Sequence, residues 1–195
     1  MAKVKTFNAF CKKFEEIMKK NDERLKKEDY NYNYKTSRTR FIKKIMKEDI
    51  TPYFQKQYIE LEYHTEYFRI DHSWWTNEHP ESINHIKLFD WNLIIAIEHE
   101  NEPRDWTNEV AKLDFIKAPL RIVIGYAKNK HRDLDIDKLV EQWKLLKNKD
   151  SIEKEGEFGV ILLNEIMEDN NKDPLDIRCY KLTKKGVEYK NKIYS

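Results

Sequence analysis

The chain has 195 residues and a mass of 23.8 kDa, a length suited to one domain, with 39% hydrophobic and 13% aromatic residues. That apolar content, beside only 4 Gly and 5 Pro, excludes a disordered or collagen-like chain, and the longest apolar run, Leu93 to Ile97, falls far short of the roughly 20 residues that span a bilayer. The net charge of +2 hides opposed regions: residues 1 to 60 carry 16 Lys and Arg against 9 Asp and Glu, residues 61 to 127 carry 6 against 12, and the remainder 15 against 14.

In chain order, Phe7, Phe10, Cys11, Phe14, Ile17 and Met18 fall on one face of a helix predicted over Thr6 to Asn21. A loop with Tyr30, Tyr32 and Tyr34 leads to a second helix, capped by Thr36 or Ser37 and bearing Phe41, Ile42, Ile45 and Met46. From Tyr58 the period changes to two: YIELEY and then YFRIDHSWW read as strands, with Phe68, Ile70 and His72 on one side and Arg69, Asp71 and Ser73 on the other. The polar stretch TNEHPESINH connects to IKLFDWNLIIAIEHE, a strand apolar on both sides and therefore expected to be central. Asn101 to Pro103 open a helix bearing Trp106, Val110 and Leu113 that ends near Lys117, and LRIVIGYA follows as a buried strand, which implies a parallel crossover. Asp133 to Asp137 cap a helix bearing Leu139, Val140, Trp143 and Leu146, and FGVILLNEI and IRCYKL are the last strands.

The expectation is a single α/β domain, a three-layer sandwich with a central mixed β-sheet flanked by helices. Residues 1–57 form its basic helical part, 58–127 its motif-bearing core and 128–195 a helix and terminal strands. The opening MAKVKTFNAFCKKF places Lys where a secretory signal needs an apolar core, so a cytoplasmic location is expected. Cys11 and Cys179 lack metal-ligand spacing and read as reduced, partly buried thiols.

A basic arm before an acidic middle suits a protein that neutralises phosphates while carboxylates hold divalent cations; solvated helix faces account equally for a basic set of 29 Lys and 8 Arg. There is no phosphate-cradling Gly loop, GxSxG, HExxH or zinc-type Cys pair. Asp133, Asp135 and Asp137 begin like an EF-hand, but Lys138 and Lys144 stand where Gly and Glu are needed.

What remains is Glu98-His99-Glu100 at the end of the most apolar strand. Residues two apart share a strand face, so Glu98 and Glu100 project one way and His99 the other. Two like charges there are costly unless a cation or donor compensates, and a divalent metal is the economical answer. Asp71 lies beside Glu98 if the two strands pair. Arg69, Arg104 or backbone donors are the structural alternative for these acids. Trp74, Trp75, Trp91 and Trp106 read as core and rim packing, and His72 and His99 as hydrogen-bonded structural histidines.

The stretches RIDHSWW, IAIEHEN and APLRIVIGY, within Tyr67 to Tyr126, resemble the PD-(D/E)xK nuclease superfamily, whose fold is restriction-endonuclease-like. In that family an Asp at the start of the second core strand and an acid-x-Lys triplet on the third bind Mg²⁺ (or Mn²⁺). These map to Asp71, preceded by Ile70 instead of Pro, and to Glu98-His99-Glu100, where Glu100 replaces the usual Lys. The resemblance implies that Asp71, Glu98 and the His99 carbonyl hold the ion. Glu100 then orients the attacking water, accepts its proton or completes a second metal site. Lys112 on the following helix is an alternative candidate for the missing Lys, and Glu109 an outside candidate for an additional ligand; a solvated Lys112 and a surface Glu109 pairing with Lys112 or Lys117 are the plain readings. The implied function is a divalent-metal-dependent DNA endonuclease of restriction type, with a homodimer expected and no membrane partner. The alternative is a catalytically inactive binding module of the same fold, for DNA or a protein partner.

Overall fold

The structure is a computed structural model that describes residues 6–26, 35–56, 61–77, 91–101, 106–127, 132–149, 152, 156–164, 176–189 and 192–194. Helix α1 (Phe7–Lys26) carries the predicted apolar stripe, with Phe10, Phe14 and Met18 fully buried. Helix α2 (Lys35–Ile45) runs through a π-helical turn (Met46–Ile50) into α3 (Thr51–Gln55), whose start has Pro52 where its missing N–H costs nothing. The Tyr30 to Tyr34 stretch lies outside the described residues.

Strands β1 (Leu61–Tyr67), β2 (Ile70–Asn77), β3 (Trp91–His99), β4 (Leu120–Ala127), β5 (Glu157–Asn164), β6 (Ile177–Thr183), β7 (Gly186–Tyr189) and β8 (Lys192–Tyr194) form one eight-stranded sheet in sequence order. The pairs β1–β2 and β2–β3 are antiparallel, β3–β4 and β4–β5 parallel, and the last three antiparallel. Helix α4 (Trp106–Asp114) makes the expected crossover from β3 to β4, and α5 (Arg132–Leu145) the one from β4 to β5. The α/β class with a mixed sheet is therefore as expected. Among the described residues no helix is long and apolar enough to cross a membrane.

Two cores cover the two sheet faces. The helices α1 to α3 pack on Trp74, Ile95, Ile97, Ile122, Ile124 and Tyr126, whereas α4 and α5 pack on Ala96, Val123, Phe158, Val160 and Leu162. Residues 95 to 98 are buried on both sides, as a central strand requires. Gly125 brings α4 close: a Cβ there would stand 2.7 Å from the Trp106 Cβ.

Two expectations are corrected. YFRIDHSWW is not one strand, because β1 and β2 form a hairpin with Tyr67 paired to Ile70 and Phe68–Arg69 as its two-residue turn. Both turn residues have positive φ, 52° and 60°, and so does Glu66 at 55°; the sequence lacks the Gly, Asn or Asp that usually announces such a turn. Asp135 does not cap its helix, because α5 already begins at Arg132: it is buried and paired with Arg178 of β6, which also holds Asp176 at 2.7 Å. The thiols are free, as expected, with Cys11 buried and Cys179 half-buried; burial first, then the neighbouring Cys179, push the Cys11 thiol well up.

Candidate active site

The β2–β3 register places His72 opposite Ile97 and Ser73 opposite Ala96, so the next pair outward sets Asp71 opposite Glu98. Directly opposed residues share a face, here the α4 face. The two acids meet through the backbone as well: the His99 N–H donates to Asp71 Oδ2 at 2.9 Å. His99 itself turns to the other face, where its Nε2 lies 3.1 Å from the Tyr126 hydroxyl. His72 Nδ1 similarly meets the Tyr63 hydroxyl at 2.8 Å, and burial, then the Lys43 charge, lower its pKa to about 3. Each histidine thus makes a side-chain hydrogen bond on an otherwise apolar face.

Helix α4 completes the site. Its amphipathic spacing buries Trp106, Val110 and Leu113 and sets Glu109 and Lys112, three residues apart, side by side toward the strand ends. Lys112 Nζ stands 2.9 Å from Glu98 Oε2 and 3.3 Å from Glu109 Oε2. Lys112 and Glu109, only outside candidates by sequence, thus stand at the site, whereas a stretched lysine side chain alone gives no sign of which strand it reaches. Lys43 of α2 adds a further positive charge felt by Asp71, a residue the sequence reading missed because it comes from the other side of the sheet.

The electrostatics are unbalanced. Glu98 has a side chain only 1% exposed, and its Oε1 has no hydrogen-bond partner among the described residues. Burial raises its pKa to about 8 despite the Lys112 hydrogen bond, with Asp71 and Glu109 repulsion adding to the rise. Burial also raises Asp71, offset in part by the His99 N–H and Lys112. For Lys112, burial works against the charged form, but its bond to Glu98 prevails and the pKa is raised. Among the described residues Lys112 thus serves Glu98 and Glu109 directly, while Asp71 feels Lys112 and Lys43 at longer range.

Glu100 lies just past the end of β3, half-buried, with its N–H donating to the Ile124 carbonyl at 2.9 Å. The charges that act on Glu98 come from Asp71, Lys112 and Glu109. Arg104 lies outside the described residues, and Trp74 and Trp106 are buried core as expected. Among the described residues no three His, Cys, Asp or Glu side chains stand in a metal-holding arrangement. An orphaned, buried carboxylate oxygen on Glu98 beside Asp71 nonetheless suits a hard divalent cation such as Mg²⁺, which binds through one or two carboxylates and keeps several waters. Comparison with protein-family models, with curated proteins and with solved structures gives no match.

Proposed function

We propose that the protein is a divalent-metal-dependent endonuclease of the PD-(D/E)xK class, hydrolysing DNA phosphodiester bonds at the Asp71–Glu98 site. The observation that carries this reading is Glu98 itself: a carboxylate buried at a strand end, opposite a second acid, with one oxygen unmatched and a proton affinity raised to about 8. Three strands, a helix and a parallel strand, with acids at the start of the second strand and the end of the third, support the restriction-endonuclease-like assignment.

Asp71, Glu98 and the His99 carbonyl would hold Mg²⁺ or Mn²⁺, which supplies polarisation of the scissile phosphate and a more acidic water. The chain's own groups do the rest. Lys112, 2.9 Å from Glu98, would supply the positive charge that the family places in its triplet and stabilise negative charge developing on the phosphate. Glu98 must give up its proton to hold the cation. Glu100, beyond the strand end, orients the water or accepts its proton. Arg40 and Lys47, exposed on α2 and the turn after it, are suited to phosphate contacts along the DNA backbone. A homodimer that cuts both strands is part of the proposal, read by light scattering of the protein with and without duplex.

A second reading, a noncatalytic DNA- or protein-binding module, is favoured by the ion pair that already occupies Glu98 Oε2 and by the lack of a three-ligand set among the described residues. The deciding assay incubates supercoiled plasmid and single-stranded DNA with Mg²⁺, Mn²⁺ or Ca²⁺, beside Asp71→Asn and Glu98→Gln proteins. Cleavage by the wild type that both variants lose supports the nuclease. A folded wild type that binds DNA and never cuts it in any metal overturns the nuclease in favour of the binding module.

A further inference from the structure

The turn that splits the predicted strand leaves a large apolar ring in water at an energetic cost. Phe68 is 60% exposed and has φ 52°, a left-handed conformation that is a genuine outlier for a bulky residue. Glu66 and Arg69 share that conformation at 55° and 60°, so three residues of the hairpin end are strained together. Such positions cost of order one favourable contact each and are retained where the surrounding structure over-determines them, often at functional sites. An Asn-Gly pair would make the same turn without strain and without the ring.

The strained end curls over a particular surface. The Phe68 ring lies 4.6 Å from Tyr67 and 6.0 Å from Trp75, and Tyr67 meets Trp75 edge-on at 5.8 Å. Trp75 stands opposite Leu93, whose side chain joins the α4-side core, so it shares the sheet face of Asp71 and Ser73. Trp75, which anchors the aromatic wall, therefore stands on the carboxylate face four residues along β2 from Asp71, or about 13 Å at the usual strand rise. Exposed Arg69 sits between the wall and Asp71 in the chain, and Lys43 anchors the hairpin from α2 through Glu66.

Resting on the nuclease reading, we infer that Tyr67, Phe68 and Trp75 form a stacking platform for an unpaired nucleobase of the strand being cut, with Arg69 on its phosphate. Every base has a π face, so a platform of this kind selects unstacked bases over sequence. The favoured substrate is DNA with a single-stranded or distorted segment at the cleavage point. An intact duplex offers no open base face to Phe68.

The test compares wild type, Phe68→Ala, Phe68→Leu and Phe68→Trp, each checked for folding by circular dichroism. It measures binding in Ca²⁺ and cleavage in Mg²⁺ on a single-stranded oligonucleotide and on its perfect duplex. Base stacking of ordinary strength predicts that Phe68→Ala weakens single-strand binding about tenfold and the duplex much less. Phe68→Leu should resemble Phe68→Ala, and Phe68→Trp should rescue, because a planar ring and not apolar bulk is needed. Tryptophan fluorescence should be quenched by the single strand in the wild type. If the wild type binds and cuts while Phe68→Ala matches it on the single strand, the platform is wrong and the nuclease stands. If the wild type neither binds nor cuts, the nuclease reading falls and the platform with it.

Discussion

Two charge clusters, one on each half of the sheet, each set a single basic side chain among several acids and come out differently. At β6, Arg178 is 3% exposed and bonds both Asp135 and Asp176, a guanidinium fork satisfying two carboxylates at once. At β3, a single ammonium on a partly exposed stem serves Glu98 and Glu109 while Asp71 waits beside them. Arginine cannot give up its proton and presents several donors in fixed geometry; lysine presents one charge that can swing away. The first cluster is a staple between α5 and β6. The second gathers three acids around one lysine and leaves a buried carboxylate oxygen of Glu98 without a partner among the described residues.

The largest effects should separate the two clusters by readout. Asp71→Asn and Glu98→Gln should each lower cleavage on the order of 10³-fold, as loss of several kcal/mol of metal-borne stabilisation requires. Both should fold, by circular dichroism and thermal melting. Arg178→Met should do the reverse, costing about 3–5 kcal/mol of stability in urea denaturation because two acids lose their buried partner. Its remaining folded fraction should keep cleavage sensitive to the same metal.

Next in size is Lys112→Met, expected to reduce cleavage about 10²-fold as a positioned charge is lost. Its stability should change by only about 1 kcal/mol, the scale of a partly exposed pair, since Glu98 answers the loss by keeping its proton. A large stability loss with unchanged cleavage would make Lys112 a staple like Arg178 and dissolve the contrast.

How much of this was legible beforehand follows from what each signal encodes. Period-two alternation and the doubly apolar Leu93 to Ile97 run identified β3 and its central place, and Glu98 at its end needed no structure to be conspicuous. The Asp71–Glu98 pairing was visible only conditionally, because register depends on where the hairpin turns. Phe68–Arg69 made that turn without Gly or Asn, so the sequence read through it. Lys112 was a candidate by its place on the helix after β3, and its spacing named Glu109, but its bond to Glu98, like the pairing of Arg178, was illegible for another reason: a long cationic side chain reaches whichever acid tertiary packing supplies. Strands β7 and β8 went unpredicted because GVEY and KIY are too short to show a period.

A smaller effect sharpens the site's electrostatics. Glu98 has an ordinary value of 4.5 and a folded value of about 8, so the folded state binds more protons than the unfolded one between those limits. Stability of the metal-free protein should therefore fall as pH rises through this window, with Asp71 contributing in the same sense. Divalent cations compete with the proton, so the rise in melting temperature on adding Mg²⁺ should be greater at pH 8 than at pH 6. Glu98→Gln should flatten both dependences. A metal-free melting curve independent of pH would mean that Glu98 is already ionised against Lys112.

The smallest expected effect concerns Glu100, which stands where the resemblance has Lys. Its backbone is fixed by the Ile124 carbonyl, but its side chain projects from beyond the last paired residue of β3 and is half-buried. On the proposed reading, a carboxylate there would act on water around the ion and not as one of its inner ligands. Glu100→Gln should then lower cleavage about 10-fold, the low end for groups adjoining metal ligands, while the Mg²⁺-induced melting shift persists. Should Glu100→Gln abolish both cleavage and the shift as Glu98→Gln does, Glu100 is a direct ligand and the site carries its third carboxylate from the strand. The contrast with the β6 staple would deepen, because a second cation and not Lys112 would then balance the charge.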